Sequence, residues 1–407
     1  MSWPEVDFEC LFEVPSRNGV YKSKDHHGSG VPIVNMGELF AFNRIGNQPM
    51  SLIRMSDAEM DKSGLIDGDL LFGRRSLVEE GAGKCSMVYK PAGPLTFESS
   101  MIRVRLDRAV ADPEFFFNYF RSPIGRSRIR AIVGGAAVKG IRGSDLKLIK
   151  VHMPPLDQQI AIRQIVALYD DLIATNQRRI ALLEDAARRL YREWFVHLRF
   201  PGHESVTVKD GVPQGWAIRN LFDVCDVDYG FPFKADQFNT DGIGMPAIRI
   251  RDIPDVSTST YTAEEVDISY IVKRGDFLIG MDGIFHMNFW VGEDALLVQR
   301  VCRIRPKLES LRAYIGLALH APIKAFEATI QGATVAHLGA KHLKSIDLLV
   351  PAAMDEQLDY LNRALWQQIQ LREMNRRLAH ARDLLLPKLM SGQLDISGIA
   401  VPDGVAA

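Results

Sequence analysis

Two sets of polar side chains in this sequence follow glycine-bearing anchors and are of types that could hydrogen-bond a polar ligand, a nucleic acid among them. The first set follows Gly68-Asp69 and comprises Arg74, Arg75, Ser76, Glu79 and Lys84, joined further along by Lys139 and Arg142 beside a glycine-rich run. The second comprises Arg249 and Arg251 after Pro246, then Asp282, His286 and Asn288 after Gly275-Asp276, and finally Thr334, His337 and Lys341. Arginine and lysine suit guanine edges and phosphates and asparagine suits adenine, whereas phosphate contacts position a protein without selecting sequence. Loops carried on a rigid scaffold are where such contacts usually lie. Each cation taken singly is equally well a solvated surface charge. His286 and His337 fit a hydrogen-bonded structural role somewhat better than a reading one. The reading therefore rests on the loops as groups.

The motifs of this sequence match no catalytic signature. An amino-methyltransferase loop needs an Asn or Asp before Pro-Pro and an aromatic after it, but Met153-Pro154-Pro155-Leu156 has neither. Gly81-Ala-Gly83-Lys84-Cys85 has the look of a phosphate loop, yet Val78 stands where the motif requires glycine and Cys85 replaces its Ser or Thr. The sole Asp-x-Lys, Asp145-Leu-Lys147, has no metal-binding acid beside it, and no Gly-x-Ser-x-Gly elbow occurs. The chain is expected to be non-catalytic, with no metal and no cofactor of its own.

Composition narrows the setting. The 407 residues and 47% hydrophobic content suffice for two or more packed domains. With 49 Lys and Arg against 50 Asp and Glu, the formal charge of -1 offers no general attraction for nucleic acid, so a binding surface must be a local patch. Cys10, Cys85, Cys225 and Cys302 lie far apart without zinc spacing, as expected of reduced thiols. Met1-Ser-Trp-Pro-Glu5 lacks the features of a signal peptide, and no apolar run reaches membrane-spanning length, so a soluble cytoplasmic protein is expected.

The elements that must position these loops occur twice. Gly30-Val-Pro32-Ile-Val returns as Gly244-Met-Pro246-Ala-Ile, and Gly68-Asp69-Leu-Leu-Phe-Gly73 returns as Gly275-Asp276-Phe-Leu-Ile-Gly280. Gly135-Ala-Ala-Val138, through Ile141, Leu146 and Ile149 to Pro154, is matched by Gly332-Ala-Thr-Val335, through Leu338, Leu343 and Ile346 to Pro351. The order is kept while the spacing between copies shifts, which is how a duplicated domain with diverged loops reads. Met101–Leu106 alternates like a strand, and the run from Leu296 to Ile304 reads similarly. Asp112-Pro113-Glu114 supplies a cap, a first-turn proline and a first-turn acid for the helix that follows. Each copy reads as an α+β domain.

A helical texture follows each copy. Ile162, Val166, Tyr169, Ile173, Ile180, Leu183, Ala187, Leu190 and Trp194 step by four and three, with Asn176 in the remaining place. This is a heptad seam, in which one buried asparagine is a device for setting register. The same steps in the second copy pick out Tyr360, Ala364, Gln367, Leu371, Met374, Leu378, Ala381 and Leu385. Arg178, Arg179, Arg188, Arg189 and Arg192 crowd the outer face of the first helix, and Pro201-Gly202 and Pro387 mark the two helix ends. The expected divisions are 1–155 and 199–352 for the two domains, 156–198 and 353–393 for the helices, and 394–407 for a tail.

These segments resemble the specificity subunits of type I restriction-modification systems over nearly the whole chain. Asn176-Gln-Arg-Arg-Ile-Ala-Leu-Leu-Glu-Asp-Ala-Ala-Arg-Arg-Leu-Tyr191-Arg-Glu-Trp-Phe-Val196 is similar to the family's central conserved region, and Arg382-Asp-Leu-Leu-Leu-Pro-Lys-Leu-Met-Ser-Gly392 to its C-terminal one. Gly-Asp-Leu-Leu-Phe before a recognition loop and Pro154-Pro155-Leu-Asp-Gln-Gln159 at the junction with the helix are also typical. The resemblance implies two target-recognition domains joined by an antiparallel coiled coil. Each domain would read one half of a bipartite site on double-stranded DNA. It further implies docking of two methyltransferase subunits and, for cleavage, two motor-nuclease subunits, with S-adenosylmethionine, ATP and Mg on those partners. A duplicated scaffold that organises proteins without reading DNA is the competing expectation, and an enzyme with its own methyltransferase or nuclease activity ranks behind it.

Overall fold

Each Gly-Asp anchor turns the chain into a buried strand. Gly68 (φ 88°) and Gly275 (φ 86°) occupy the left-handed region that glycine enters without steric cost. The aspartates that follow are 0% and 1% exposed. Asp69 accepts two 2.8 Å hydrogen bonds from Arg105 and one of 2.9 Å from the Ile66 amide. Asp276 accepts from Arg305 at 2.9 and 2.5 Å and from the Lys273 amide at 2.8 Å. A buried carboxylate is tolerated here because a guanidinium fork and a backbone donor satisfy its oxygens. The repeated motif thus holds the scaffold and leaves the loops beyond it free to differ.

The computed structural model describes residues 3–77, 81–135, 138–329, 336–352, 354–394 and 396. The chain divides into two compact units, the first made of 1–171 and 378–407 and the second of 172–377. In the first unit a five-stranded sheet runs in the order Phe12–Asn18, Met101–Leu106, Leu70–Gly73, Cys85–Val88, Arg44–Ile45, and only the last pair is parallel. A three-stranded sheet orders Ser51–Ile53, His27–Val34 and Thr96–Phe97, the last pair again parallel. Met101–Leu106 is buried on both faces apart from Arg105, so its sequence alternation does not mark a solvent-facing side. The helix Pro113–Arg121 begins on the Asp112 carboxylate, which accepts from the Phe115 amide, and buries Phe115, Phe116, Phe117, Tyr119 and Phe120.

The second unit repeats this plan. Its antiparallel sheet orders Cys225–Tyr229, Val301–Pro306, Phe277–Gly280 and Met287–Phe289. A second sheet orders Tyr261–Thr262, Met245–Ile248, Ala295–Leu297 and Ile271–Val272, with Met245–Ile248 and Ala295–Leu297 parallel. The run from Leu296 to Ile304 is therefore two strands in two sheets. Gly30 (φ 106°) and Gly244 (φ 89°) recur for one physical reason: a Cβ would stand 2.3 Å from the Ile53 carbonyl oxygen or 2.1 Å from that of Thr262.

Two 36-residue helices, Leu156–Tyr191 and Asp355–Met390, each begin in one unit and end in the other. A π-helical turn, Arg192–Val196, follows the first. In the second unit Asn176 Nδ2 donates to Asn375 Oδ1 at 2.9 Å and Arg372 pairs with Glu184 at 2.5 Å; one number falls as the other rises, so the helices are antiparallel. In the first unit Arg382 pairs with Asp170 at 2.6 Å. Ile162, Val166, Asn176, Ile180 and Ala187 are buried, and Tyr169, Ile173, Leu183, Leu190 and Trp194 are half-buried, as the heptad seam requires.

The second helix departs from the expected register. Leu371 is buried and Leu378 and Leu385 are half-buried, but Met374 is 51% exposed, and Tyr360 and Gln367 also face outward. Asn375, one residue later, takes the seam position because a buried Asn176 amide needs a polar partner that a thioether cannot supply. Pro387 lies inside the helix instead of ending it. Proline removes only one backbone donor there, and the helix stops where Gly392 adopts φ 70°. Arg178, Arg179, Arg188, Arg189 and Arg192 are all exposed.

Candidate nucleic-acid interface

Beyond the buried strand that follows each Gly-Asp anchor, the chain meets a second loop from far along the sequence. In the first unit Arg75–Ser76 pairs antiparallel with Lys139–Gly140, placing Lys139 opposite Ser76 and Gly140 opposite Arg75. The Arg74 amide donates to Ser100 O at 2.8 Å, and the Ile141 amide donates to Arg74 O at 3.0 Å. The second unit has the same node: Asp282 stands opposite His337, the Met281 amide donates to Arg300 O at 2.8 Å, and the Leu338 amide donates to Met281 O at 2.7 Å. The loops singled out separately in each copy are therefore brought together in pairs.

The side chains on the two nodes differ in kind. Arg75 and Arg142 are exposed in the first unit, with Arg74 and Lys139 half-buried and Ser76 partly covered. In the second, Asp282 accepts from Arg300 Nη1 at 3.0 and 3.3 Å and lies 2.6 Å from His337 Nδ1. One scaffold thus presents Arg75, Ser76 and Lys139 among the described residues of the first unit and an acid held between an arginine and a histidine in the second. Such surfaces suit polar groups on base edges and phosphates. Arg300 escaped the sequence reading because it precedes a strand instead of following an anchor. The signal was its alignment with Ser100, each directly before a repeated strand.

Residues 3–185 and 213–362 match the family described as the type I restriction modification DNA specificity domain. The chain belongs to the type I restriction-modification DNA specificity family. It is 32% identical over 148 residues to the EcoBI specificity subunit of Escherichia coli, covering 36% of this chain and 31% of that relative's length. It is 20% identical over 362 residues to the MjaIX specificity subunit of Methanocaldococcus jannaschii, covering 80% of this chain and 83% of the relative. The fold is shared with a type I restriction-modification S subunit from M. genitalium, with a TM-score of 0.59 and 14% identity over 96% of each chain.

Within this specificity protein several of the residues picked from sequence have structural partners instead. The Asn288 amide donates to the Ile253 and Pro254 carbonyls at 3.3 and 3.2 Å, while its oxygen accepts from the Phe289 amide at 3.0 Å and from Arg372 at 3.4 Å. Both its donor nitrogen and its acceptor oxygen are thus engaged, leaving no free donor–acceptor edge for adenine. Lys84 donates to the Phe40 carbonyl and lies 5.4 Å from that ring; burial, then Arg121 and Arg126, lower its pKa. The Ala82 and Gly83 carbonyls accept from Arg126 at 3.4 and 3.0 Å, so the glycine loop turns oxygens toward a cation, the reverse of a phosphate cradle.

Arg249 caps a single helical turn, Ile250–Asp252, and Arg251 lies within it, away from the node. Arg249 stacks 4.2 Å over Phe238, and burial, with the charge of Arg251 beside it, lowers its pKa. Arg251 is 67% exposed and reaches Thr260 Oγ1 at 3.4 Å. The His286 carbonyl accepts from the Gly280 amide at 2.8 Å, and Lys341 is exposed on the helix Ala340–Lys344. Glu79 and Thr334 lie outside the described residues. Among the described residues no group of three or more His, Cys, Asp or Glu side chains is arranged to hold a metal, and no helix is long and apolar enough to cross a membrane.

Proposed function

We propose that this chain is the DNA-recognition subunit of a cytoplasmic type I restriction-modification complex, each unit reading one half of a bipartite site. The observation that carries the reading is the repeated node: the same backbone bonds in both units, with Arg75 at one position and Asp282 at its equivalent. Two copies of one frame with different polar side chains suit two different half-sites, because base edges are told apart by donor and acceptor pattern. The chain acts without catalysis of its own. Methyltransferase subunits supply S-adenosylmethionine chemistry, and motor-nuclease subunits with ATP and Mg supply cleavage.

The test is co-expression with the methyltransferase partners in a host free of other adenine methylation, followed by sequencing of modified positions. A two-part motif is expected. Exchanging residues 215–350 for those of another family member should change one part and leave the other intact. Methylation without a motif, or a change in both parts, would refute the reading in favour of a scaffold for protein partners.

A further inference from the structure

We propose that Arg300 is the guanine-reading residue of the second unit, presented by Asp282 as a fixed two-donor edge. The inference rests on the DNA-recognition reading above and assigns the chemistry of one of its two nodes.

The geometry of the guanidinium comes first. Asp282 binds Arg300 through Nη1 alone, at 3.0 and 3.3 Å, and is itself engaged by His337 at 2.6 Å. Nε and Nη2 have no partner among the described residues, and the Arg300 side chain is 56% exposed. These two nitrogens form the parallel-donor edge of an arginine, which matches the N7 and O6 acceptors of guanine in the major groove. An acid on a DNA-facing surface would by itself repel phosphate. Here Asp282 sits between two basic side chains and serves to orient one of them.

The backbone supplies a second, separate observation. Arg300 has φ 73° at the third position of a turn closed by the Val301 amide on Val298 O at 3.1 Å, a place that favours glycine. The matching turn in the first unit, closed by the Met101 amide on Glu98 O at 3.2 Å, carries Ser100 without a positive φ. A bulky residue kept in a strained conformation points to a use for its side chain. Position 75 of the first unit shows the complement: where the second unit has Asp282, the first has an exposed arginine. Each node therefore offers an exposed guanidinium, Arg75 in the first unit and Arg300 in the second, reached from a different strand end.

The test compares the wild-type complex with Arg300→Gly and Arg300→Lys by sequencing modified positions and by thermal unfolding. The wild-type half-site read by the second unit should contain a G·C pair. Both variants should lose preference at that pair by roughly 5- to 150-fold, the range of one bidentate contact, while every other position keeps its stringency. Arg300→Gly should unfold no earlier than wild type, because glycine suits the turn; a purely structural arginine would lower Tm. Unchanged stringency in both variants would overturn the proposal. So would a half-site lacking G·C, or a uniform loss in Arg300→Gly that Arg300→Lys restores, since that marks a phosphate contact. A wild-type complex that methylates without a motif would refute the underlying reading and this inference with it, whereas an intact motif untouched by either variant refutes this inference alone.

Discussion

Replacing Asn176 by leucine should destabilise the second unit, and replacing Asn375 as well should restore it. Asn176 is 5% exposed and donates to Asn375 Oδ1 at 2.9 Å, while Asn375 Nδ2 reaches the Ile173 carbonyl at 3.3 Å. Asn176→Leu leaves the Asn375 oxygen without its donor against a new apolar side chain. An unsatisfied buried polar group costs about 1–3 kcal/mol, and the half-buried position of Asn375 puts the expected loss near 1–2 kcal/mol. In the double variant two leucines meet across the seam, and a buried asparagine pair is retained at a cost to stability, so about 1 kcal/mol above wild type is expected. With a similar loss for Asn375→Leu, which strands the buried Asn176 amide, the coupling energy between the sites should be on the order of 3–5 kcal/mol. Urea unfolding of the full chain followed by tryptophan fluorescence suits the measurement, because Trp194, Trp216, Trp290 and Trp366 all belong to the second unit. Additive single effects, or a double variant weaker than either single one, would refute the claim that the two amides act as a pair.

The Gly-Asp anchors and the cysteines give two further expectations. Asp276→Ala strips Arg305 of both carboxylate bonds and leaves Arg312, 8% exposed and 3.8 Å away, facing the vacancy. Breaking a buried pair costs about 3–5 kcal/mol, and the 31% exposure of Arg305 places the loss toward the lower figure; a urea-derived loss under about 1 kcal/mol would contradict the structural role given to the motif. Burial pushes the Cys225 and Cys302 thiols up to about 12 and raises Cys85 as well. These three therefore stay protonated at pH 8, and iodoacetamide should label only the exposed Cys10 of the folded chain, as read by peptide mass spectrometry. Labelling of Cys302 at a rate matching Cys10 would contradict that burial.

The duplicated frame was legible in the sequence because its anchors answer to local, unforgiving constraints. Gly30 and Gly244 must lack a Cβ, Gly68 and Gly275 must turn left-handed, and the aspartates after them must meet a guanidinium, so the same residue types recur wherever the same backbone does. The first helix seam was legible for a similar reason, since burial recurs at heptad spacing. The second seam was legible at Leu371, Leu378 and Leu385 but read one residue out at Met374, because Met374 and Asn375 are neighbours and choosing between them depends on what stands opposite. Only tertiary structure decides that, through the amide of Asn176. It also decided the recognition node. Arg75 with Lys139, and Asp282 with His337 and Arg300, are separated in sequence and meet only because the fold brings the loops at the ends of interior strands to one place. The same packing withdrew Asn288 and Lys84 from the surface chemistry their types suggested, since a side chain's partners are set by the fold around it and no spacing along the chain encodes them.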